Sequence, residues 1–168
     1  DGGSHNDTID SGFGDDTVFG GYGNDVITGL GGNNTIYGGH DEDVIRTGFG
    51  DDIIHGGNHD DVIDAGDGTN TVYGGHGNET IKAGHGDDVS YGESGGDCIE
   101  GGKGNDVLHG GSGADTYYIE RFDGFDRIIE SGSSAADKIR FGDDVESEEL
   151  WFSRSGDDLR VDFLGSSN

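Results

Sequence analysis

A single apolar position recurs every nine residues from Ile9 to Tyr117, and it lies two residues after an acidic or amide position. Glycines occupy most of the positions before that pair. The unit reads Gly-Gly-x-Gly-x-Asp-x-apolar-x and runs thirteen times from Gly2 to Tyr118 without a change of register. Ser90 is the one polar residue in the apolar column. This short period predicts a solenoid whose stacked repeats bury a continuous core.

Each repeat predicts one tight turn followed by one short strand. Glycines at positions one, two and four allow positive φ and close approach of backbones, so the first six residues can turn with their carbonyls pointing inward. The last three residues form a strand in which position eight faces the interior and positions seven and nine face outward. Two turns and two strands predict a coil of eighteen residues, built from one odd and one even repeat.

The residues at position nine indicate that the two sides of the coil differ. The even repeats place aromatic and histidine side chains there, namely Phe19, Tyr37, His55, Tyr73, Tyr91 and His109. The odd repeats place mostly charged residues there, namely Asp10, Thr28, Arg46, Asp64, Lys82, Glu100 and Tyr118. We therefore predict two parallel sheets, one with an aromatic ladder on its outer face and one with a mainly charged outer face.

Composition indicates that this fold needs a partner outside the chain. Among 168 residues there are 37 glycines and no proline, only 29% are hydrophobic, and the net charge is -27. So little apolar surface is close to the composition of disordered chains. The acidic charge excludes nucleic acid and anionic membrane surfaces as partners, and no apolar run is long enough to span a bilayer. The pattern begins at the first residues, so we expect the chain to be part of a longer protein.

The residues at position six indicate a metal site. Stacked coils place carboxylates of repeats n and n+2 about 4.8 Å apart, where they repel one another unless a cation lies between them. Oxygen is the only ligand type that recurs in the pattern, which favours Ca²⁺ over Mg²⁺. Zinc would need a convergent set of His or Cys, and the seven histidines do not share one repeat position.

The motif and its period resemble the repeats-in-toxin (RTX) calcium-binding repeats of bacterial proteins exported by type I secretion. The resemblance implies an all-β fold, a right-handed parallel β-roll over residues 1–118. In that family an ion lies between two loops eighteen residues apart. It is bound by the carbonyls of positions two and four and the Asp of one loop, and by the carbonyls of positions one and three and the Asp of the next. Thirteen loops of this kind leave room for up to eleven calcium ions.

The resemblance assigns the ligands residue by residue. The side-chain ligands are Asp7, Asp16, Asp25, Asp43, Asp52, Asp61, Asp88, Asp97, Asp106 and Asp115. The carbonyl ligands are Gly3, Gly12, Gly14, Gly20, Gly21, Tyr22, Gly23, Gly38, Gly39, His40, Gly56, Gly57, Asn58, Gly84, Gly86, Gly92, Ser94, Gly95, Gly101, Lys103, Gly110 and Ser112.

Departures from the motif predict fewer than eleven ions, about six or seven, mainly in the column of odd loops. We expect weak or empty sites beside Asn34, Asn70, Glu79 and Glu93, where a charge is lost, a methylene is added or a position-two glycine is replaced. Three other residues, His5, Asp41 and His59, replace the position-four glycine and are expected to adopt its left-handed conformation.

Residues 119–168 no longer follow the period and predict a small β-rich cap. Strands are expected at 116–120, 127–130 and 138–141, a helical turn at 147–149, and a hairpin at 150–154 and 159–163. Apolar residues such as Phe122 and Phe125 are expected to cover the end of the solenoid. The segment is similar to the C-terminal flanking domain that follows many RTX arrays, and we expect that domain, or an export signal, to be incomplete here.

These observations predict a non-catalytic calcium-binding module of a larger protein secreted by a Gram-negative bacterium. It would stay unfolded in a low-calcium cytosol for the type I secretion machinery and fold outside on binding calcium. The alternative is a calcium-stabilised binding module that uses the aromatic ladder for a carbohydrate or protein partner. The sequence contains no nucleophile elbow, zinc motif or phosphate-binding loop, so we predict no catalytic residues and no organic cofactor.

Overall fold

Two long parallel sheets form the body of the molecule. The computed structural model describes residues 1–130, 136–143, 145–146, 150–155 and 158–163, with side chains described as far as residue 150. These residues contain strands and no helix. The fold is a parallel β-solenoid of the β-roll type, as the period predicts. Within the described ranges, no helix has the length and apolar character needed to cross a membrane.

The strands alternate between the two sheets along the chain. Sheet one contains β1 (Gly3–Ser4), β3 (Thr17–Tyr22), β5 (Thr35–His40), β7 (Ile53–Asn58), β9 (Thr71–His76), β11 (Val89–Ser94), β13 (Val107–Ser112) and β15 (Arg127–Ile129). Sheet two contains β2 (Thr8–Phe13), β4 (Val26–Gly31), β6 (Val44–Arg46), β8 (Val62–Asp64), β10 (Thr80–His85), β12 (Cys98–Lys103), β14 (Thr116–Ile119) and β16 (Lys138–Phe141). A separate antiparallel hairpin contains β17 (Leu150–Ser155) and β18 (Asp158–Phe163).

The strand register confirms the eighteen-residue coil. Ile36 on β5 lies beside Ile54 on β7, and Ile27 on β4 lies beside Ile45 on β6. Each pair is separated by two repeats, so every odd repeat stacks on an odd repeat and every even repeat on an even one. Position-equivalent residues therefore form continuous columns along the solenoid.

Most strands in the array are longer than the three residues that the pattern predicts. They begin at position seven and continue through position three of the next repeat, which gives six residues. The glycines at positions one and two do not end the strand, because they pair in register with the glycines of the adjacent coil, for example Gly21 with Gly39. A glycine-rich segment that is weak as an isolated strand is held here by backbone pairing on both sides.

The core consists of two columns of position-eight side chains, one from each sheet, which pack together between the sheets. All of these residues from Val18 to Tyr117 are buried, with Ser90 as the polar exception. They include Val18, Ile27, Ile36, Ile45, Ile54, Ile63, Val72, Ile81, Ile99 and Leu108. The neighbouring positions seven and nine face outward, so one residue in each repeat supplies the apolar interior.

The outer faces differ as the sequence predicts. On sheet one the six rings from Phe19 to His109 stack face to face, with centroids 5.0, 4.8, 4.7, 5.1 and 4.6 Å apart along the series. On sheet two, Arg46 lies between Thr28 and Asp64, and Lys82 forms a 3.0 Å ion pair with Glu100. The aromatic ladder and the charged column are therefore on opposite sheets.

Both sheets continue beyond Tyr118. β15 pairs with β13 and β16 pairs with β14, so the strands predicted near 127–130 and 138–141 extend the solenoid. The hairpin strands differ from the prediction by one residue at their turn ends. Phe122 and Phe125 are 74% and 76% exposed and do not cover the end of the solenoid, because they lie in the turn before β15 rather than in a strand. The predicted helical turn at 147–149 lies outside the described residues.

We predict that Ile54→Ala lowers the free energy of unfolding by about 2–5 kcal/mol, because it leaves a cavity in a core to which each repeat contributes one large apolar side chain. Urea denaturation in saturating calcium measures this. Ile53→Ala is the matched control, since Ile53 is the same residue type, adjacent, and 44% exposed. Its effect should be about 0.5 kcal/mol or less. Equal losses in the two variants would contradict a core built from position-eight side chains.

Candidate metal centre

The position-six side chains form two inward-facing columns beside the core, one at each turn of the coil. Position six immediately precedes a strand. Its side chain points to the same side of the sheet as that of position eight, so a polar side chain at position six enters the interior. Eight of the sequence-predicted aspartates are 0–1% exposed, namely Asp25, Asp43, Asp52, Asp61, Asp88, Asp97, Asp106 and Asp115. Asp7 and Asp16, in the first coil, are partly buried.

One oxygen of each buried carboxylate is fixed by the neighbouring coil. The backbone N–H of Asp25 donates to Oδ1 of Asp43, and the N–H of Asp43 donates to Oδ1 of Asp61, both at 2.8 Å. The same bond recurs in both columns, at 2.7 Å between Asn70 and Asp88 and at 2.9 Å between Asp97 and Asp115. These bonds give the carboxylates a common orientation.

The second oxygen of each carboxylate is buried and has no hydrogen-bond partner. This is true of Oδ2 in Asp7, Asp16, Asp25, Asp43, Asp52, Asp61, Asp88, Asp97, Asp106 and Asp115. A buried carboxylate oxygen without a donor is strongly unfavourable, and native structures contain few such groups. A column of them fits a cation, which satisfies each oxygen and cancels the repulsion between neighbours.

Carbonyl oxygens of the next coil converge on these same carboxylate oxygens. A Cβ placed on Gly20 would lie 2.5 Å from both Asp25 Oδ2 and the carbonyl oxygen of Gly38. The position-one glycines Gly38 and Gly56 have equivalent surroundings. Glycine is therefore needed at position one of the odd loops, because a side chain would fill the space in which carboxylate and carbonyl oxygens meet.

The remaining loop carbonyls face the gap between coils from both sides. A Cβ on Gly39 would overlap the carbonyl of Gly21, so position-two carbonyls point toward the next coil. Position-three carbonyls point the opposite way, and that of Ser94 accepts a 3.0 Å hydrogen bond from the N–H of Gly77 in the preceding coil. The donor set of each gap thus consists of carboxylate and carbonyl oxygens, which suits a hard cation with flexible coordination such as Ca²⁺.

Burial also changes the acidity of these groups. Desolvation raises the pKa of Asp61 and of Asp88 to about 7 and that of Asp43 to about 6, with neighbouring carboxylates adding to the effect. It raises the pKa of Asp52, Asp97, Asp106 and Asp115 in the same direction. A bound cation would reverse this effect by favouring the ionised carboxylate.

Two asparagines in the even column donate hydrogen bonds at the point where aspartates have an oxygen without a donor. Asn34 and Asn70 keep the oxygen that accepts the inter-coil N–H, from Asp16 and Asp52. Their amide nitrogens take the place of the second carboxylate oxygen. Asn34 donates to the carbonyl of Gly32 at 3.0 Å, and Asn70 donates to that of Ala83 at 3.3 Å. Asn34 therefore satisfies a carbonyl of its own loop, and Asn70 satisfies the position-one carbonyl of the next even loop. The weak sites expected beside these two residues stay a prediction.

Position one reinforces the difference between the columns. The hydroxyl of Thr47, an even-loop residue, donates to the carbonyl of Ala65 in the next coil at 2.6 Å. The equivalent carbonyls of the odd column, such as those of Gly38 and Gly56, face a carboxylate oxygen instead. The odd column therefore keeps more oxygens that lack a donor.

Glu79 and Glu93 also depart from the motif, and they change their loops in different ways. Both carboxylate oxygens of Glu79 are buried without a partner, and burial together with Asp97 raises the pKa of Glu79 to about 9. Its longer side chain places Oε1 beside Gly77 in its own loop. Glu93 adopts φ 73°, and its carbonyl still points toward Gly111 in the next coil as a position-two glycine would. Glu79 therefore places its carboxylate differently from the aspartate of the motif. Glu93, in contrast, leaves the position-two carbonyl pointing in the same direction as glycine does.

The left-handed conformation expected at three position-four residues is confirmed. His5, Asp41 and His59 have φ of 103°, 75° and 76°.

Sequence reasoning missed two members of the carboxylate columns. The N–H of Asp106 donates to Oδ1 of Asp126 at 3.2 Å, and the N–H of Asp115 donates to Oδ1 of Asp137 at 3.0 Å. Asp126 and Asp137 precede β15 and β16 as the other aspartates precede their strands. Each begins an Asp-x-Ile segment, and this pattern is the sequence signal that could have identified both residues. The separations are 20 and 22 residues instead of 18, so counting by nines passes over them.

A parallel β-solenoid with oxygen-lined glycine loops between its coils is a metal-binding β-roll. The family model of the RTX calcium-binding nonapeptide repeat (4 copies) matches residues 1–18, 19–54, 37–72, 55–90, 65–98 and 91–125. The chain belongs to this family of calcium-binding repeats. No curated protein sequence gives a significant match.

We predict that Asn70→Asp adds calcium binding to the even column, because the substitution replaces an N–H donor with a second carboxylate oxygen facing the carbonyl of Ala83. The number of bound ions, measured by native mass spectrometry across a calcium titration, should rise by one or the midpoint should fall. Asn78→Asp is the control, since it adds the same charge at an exposed position of the next loop. An equal response in the two variants would indicate a general charge effect and contradict the local explanation.

We predict that the calcium-free β-roll becomes more stable on acidification from about pH 7 to about pH 5. The folded-state pKa of Asp43, Asp61 and Asp88 is about 6 to about 7, above the ordinary value of 3.8 in the unfolded chain. Between these values the folded state binds more protons, so the free energy of unfolding falls as the pH rises. Far-ultraviolet circular dichroism in a chelator measures the folded fraction, and a β-signal that weakens on acidification would refute this.

Proposed function

We propose that this chain is a calcium-dependent folding module that supports type I secretion and extracellular folding of a larger bacterial protein. Calcium-binding repeats of this family are typical of secreted, extracellular proteins. The observation that carries the proposal is the double column of buried carboxylates, each with one oxygen hydrogen-bonded and the other without a donor. A chain with this interior is poorly stable without cations and compact with them.

Each ion would bind between two coils. In the gap between the second and third odd loops, Asp25 and the carbonyls of Gly21 and Gly23 would bind from one side, and Asp43 with the carbonyls of Gly38 and His40 from the other. The converging oxygens at Gly20 and the outward carbonyl of Gly21 support this arrangement. The gaps with two aspartates would bind most tightly. These gaps lie between Asp7 and Asp25, Asp25 and Asp43, Asp43 and Asp61, Asp97 and Asp115, and Asp88 and Asp106.

The same electrostatics would control when the module folds. With a net charge of -27, the calcium-free chain repels itself and favours an extended state. That state suits passage through the type I secretion machinery from a low-calcium cytosol. Outside the cell, calcium at about 10⁻⁴–10⁻³ M would bind, neutralise the columns and fold the array. Binding free energy is then folding free energy.

A non-catalytic role is part of this proposal. The β-roll of this family is generally a structural calcium-binding domain. Its inward polar side chains are committed to the inter-coil loops, and its position-eight side chains fill the space between the sheets.

The geometry of the aromatic ladder favours a role in packing over a role in carbohydrate binding. Its rings are stacked with interplanar angles of 4° to 14°, so most ring faces cover one another. A sugar ring stacks on an exposed aromatic face, whereas this ladder presents mainly ring edges. Cross-strand aromatic pairs also stabilise sheets by themselves.

We predict that the chain is largely unfolded in EGTA and gains β-structure in about 1 mM calcium, as measured by far-ultraviolet circular dichroism. Asp61→Asn should raise the calcium midpoint several-fold, because it removes a buried ligand charge shared by two gaps. Asp60→Asn is the matched control, since it makes the same change at the adjacent exposed position. A β-signal that is independent of calcium would sink the proposal.

A further inference from the structure

A carboxylate of the last odd repeat meets two carboxylates from outside the nine-residue period. Asp115, Glu130 and Asp137 each offer an oxygen, and these oxygens lie within 4.8 Å of one another. Asp115 precedes β14, Glu130 follows β15, and Asp137 precedes β16. Glu130 occupies no motif position, and Asp137 is displaced from the nine-residue period. The group therefore joins the last regular repeat to the strands that continue both sheets.

Asp115 lacks a donor for one oxygen. Its side chain is 0% exposed, Oδ1 accepts the N–H of Asp97 at 2.9 Å, and Oδ2 has no partner. The nearby hydroxyl of Tyr117 is not available to it, because that hydroxyl donates its hydrogen to Glu130. A Cβ on Gly110 would meet both Asp115 Oδ2 and the Tyr117 hydroxyl oxygen, so two oxygens converge there. In earlier odd loops the second oxygen at this point is the carbonyl of the next coil.

We propose that Asp115, Glu130 and Asp137 bind a divalent cation of the calcium type that attaches the strands after the array to its last coil. Three carboxylates within this distance repel one another strongly unless a cation or protons intervene, and an all-oxygen set favours calcium. The N–H of Asp115 holds Asp137 in place at 3.0 Å. The ion would couple β15 and β16 to β14. This inference rests on the proposed function, since the last repeat must itself be folded.

The test compares the Glu130→Gln variant with the wild-type chain, with calcium as the only divalent cation present. Gln still accepts a hydrogen bond from the Tyr117 hydroxyl, so the substitution removes the charge and retains that contact. Native mass spectrometry should count one calcium fewer. Hydrogen exchange should be faster in Lys138–Phe141, while β3 to β9 remain protected. Glu120→Gln, which removes an exposed charge in the same segment, should match the wild type.

Two more variants distinguish the ion from the hydrogen bond. Asp137→Asn should reproduce the loss of one ion, whereas Tyr117→Phe, which keeps all three carboxylates, should retain it. An unchanged ion count in both Glu130→Gln and Asp137→Asn would overturn the inference, and so would loss of protection throughout β3 to β9 in those variants. Protection of β3 to β9 that is the same with and without calcium in the wild type would contradict the proposed function instead. In that case, the ion counts of Glu130→Gln and Asp137→Asn compared with the wild type would still show whether these three carboxylates bind an ion.

Discussion

The structure depends on one electrostatic constraint, a carboxylate buried in most half-coils with only one of its oxygens satisfied by the protein. The neighbouring coil supplies a single N–H to each of these side chains, and this bond aims the second oxygen at the gap between coils. A chain whose core takes one large apolar side chain from each nine-residue repeat has little hydrophobic free energy to offset that arrangement. Under the proposed function, the atoms that bind the cation are also the ones whose burial opposes folding without it.

The glycine pattern follows from this constraint. At position one of the odd loops, a side chain would occupy the point where carboxylate and carbonyl oxygens meet. The even loops tolerate Thr47 there, and its hydroxyl hydrogen-bonds the carbonyl that would otherwise face the gap. Asn70 does the same with its amide. The two columns thus differ, because internal hydrogen bonds satisfy carbonyls at these places in the even column.

The outer faces are not subject to this electrostatic constraint, so the residues on them vary between repeats. Positions seven and nine pair in register with their counterparts one coil away, so similar side chains stack in columns. Rings stack on sheet one, and opposite charges alternate around Lys82 on sheet two. Stacked rings add cross-strand contact area that the narrow core lacks.

The nine-residue period by itself determined the solenoid, the eighteen-residue coil, the buried columns, the acidic loops and the opposite placement of the aromatic and charged faces. Periodicity suffices for these because each repeat contacts chiefly its equivalents in adjacent coils. Tertiary structure decided which carbonyls the side-chain amides of Asn34 and Asn70 hydrogen-bond. It also decided that Asp126 and Asp137 extend the carboxylate columns. Those results depend on how backbone pairing accommodates insertions and where individual oxygens point, which spacing along the sequence does not specify.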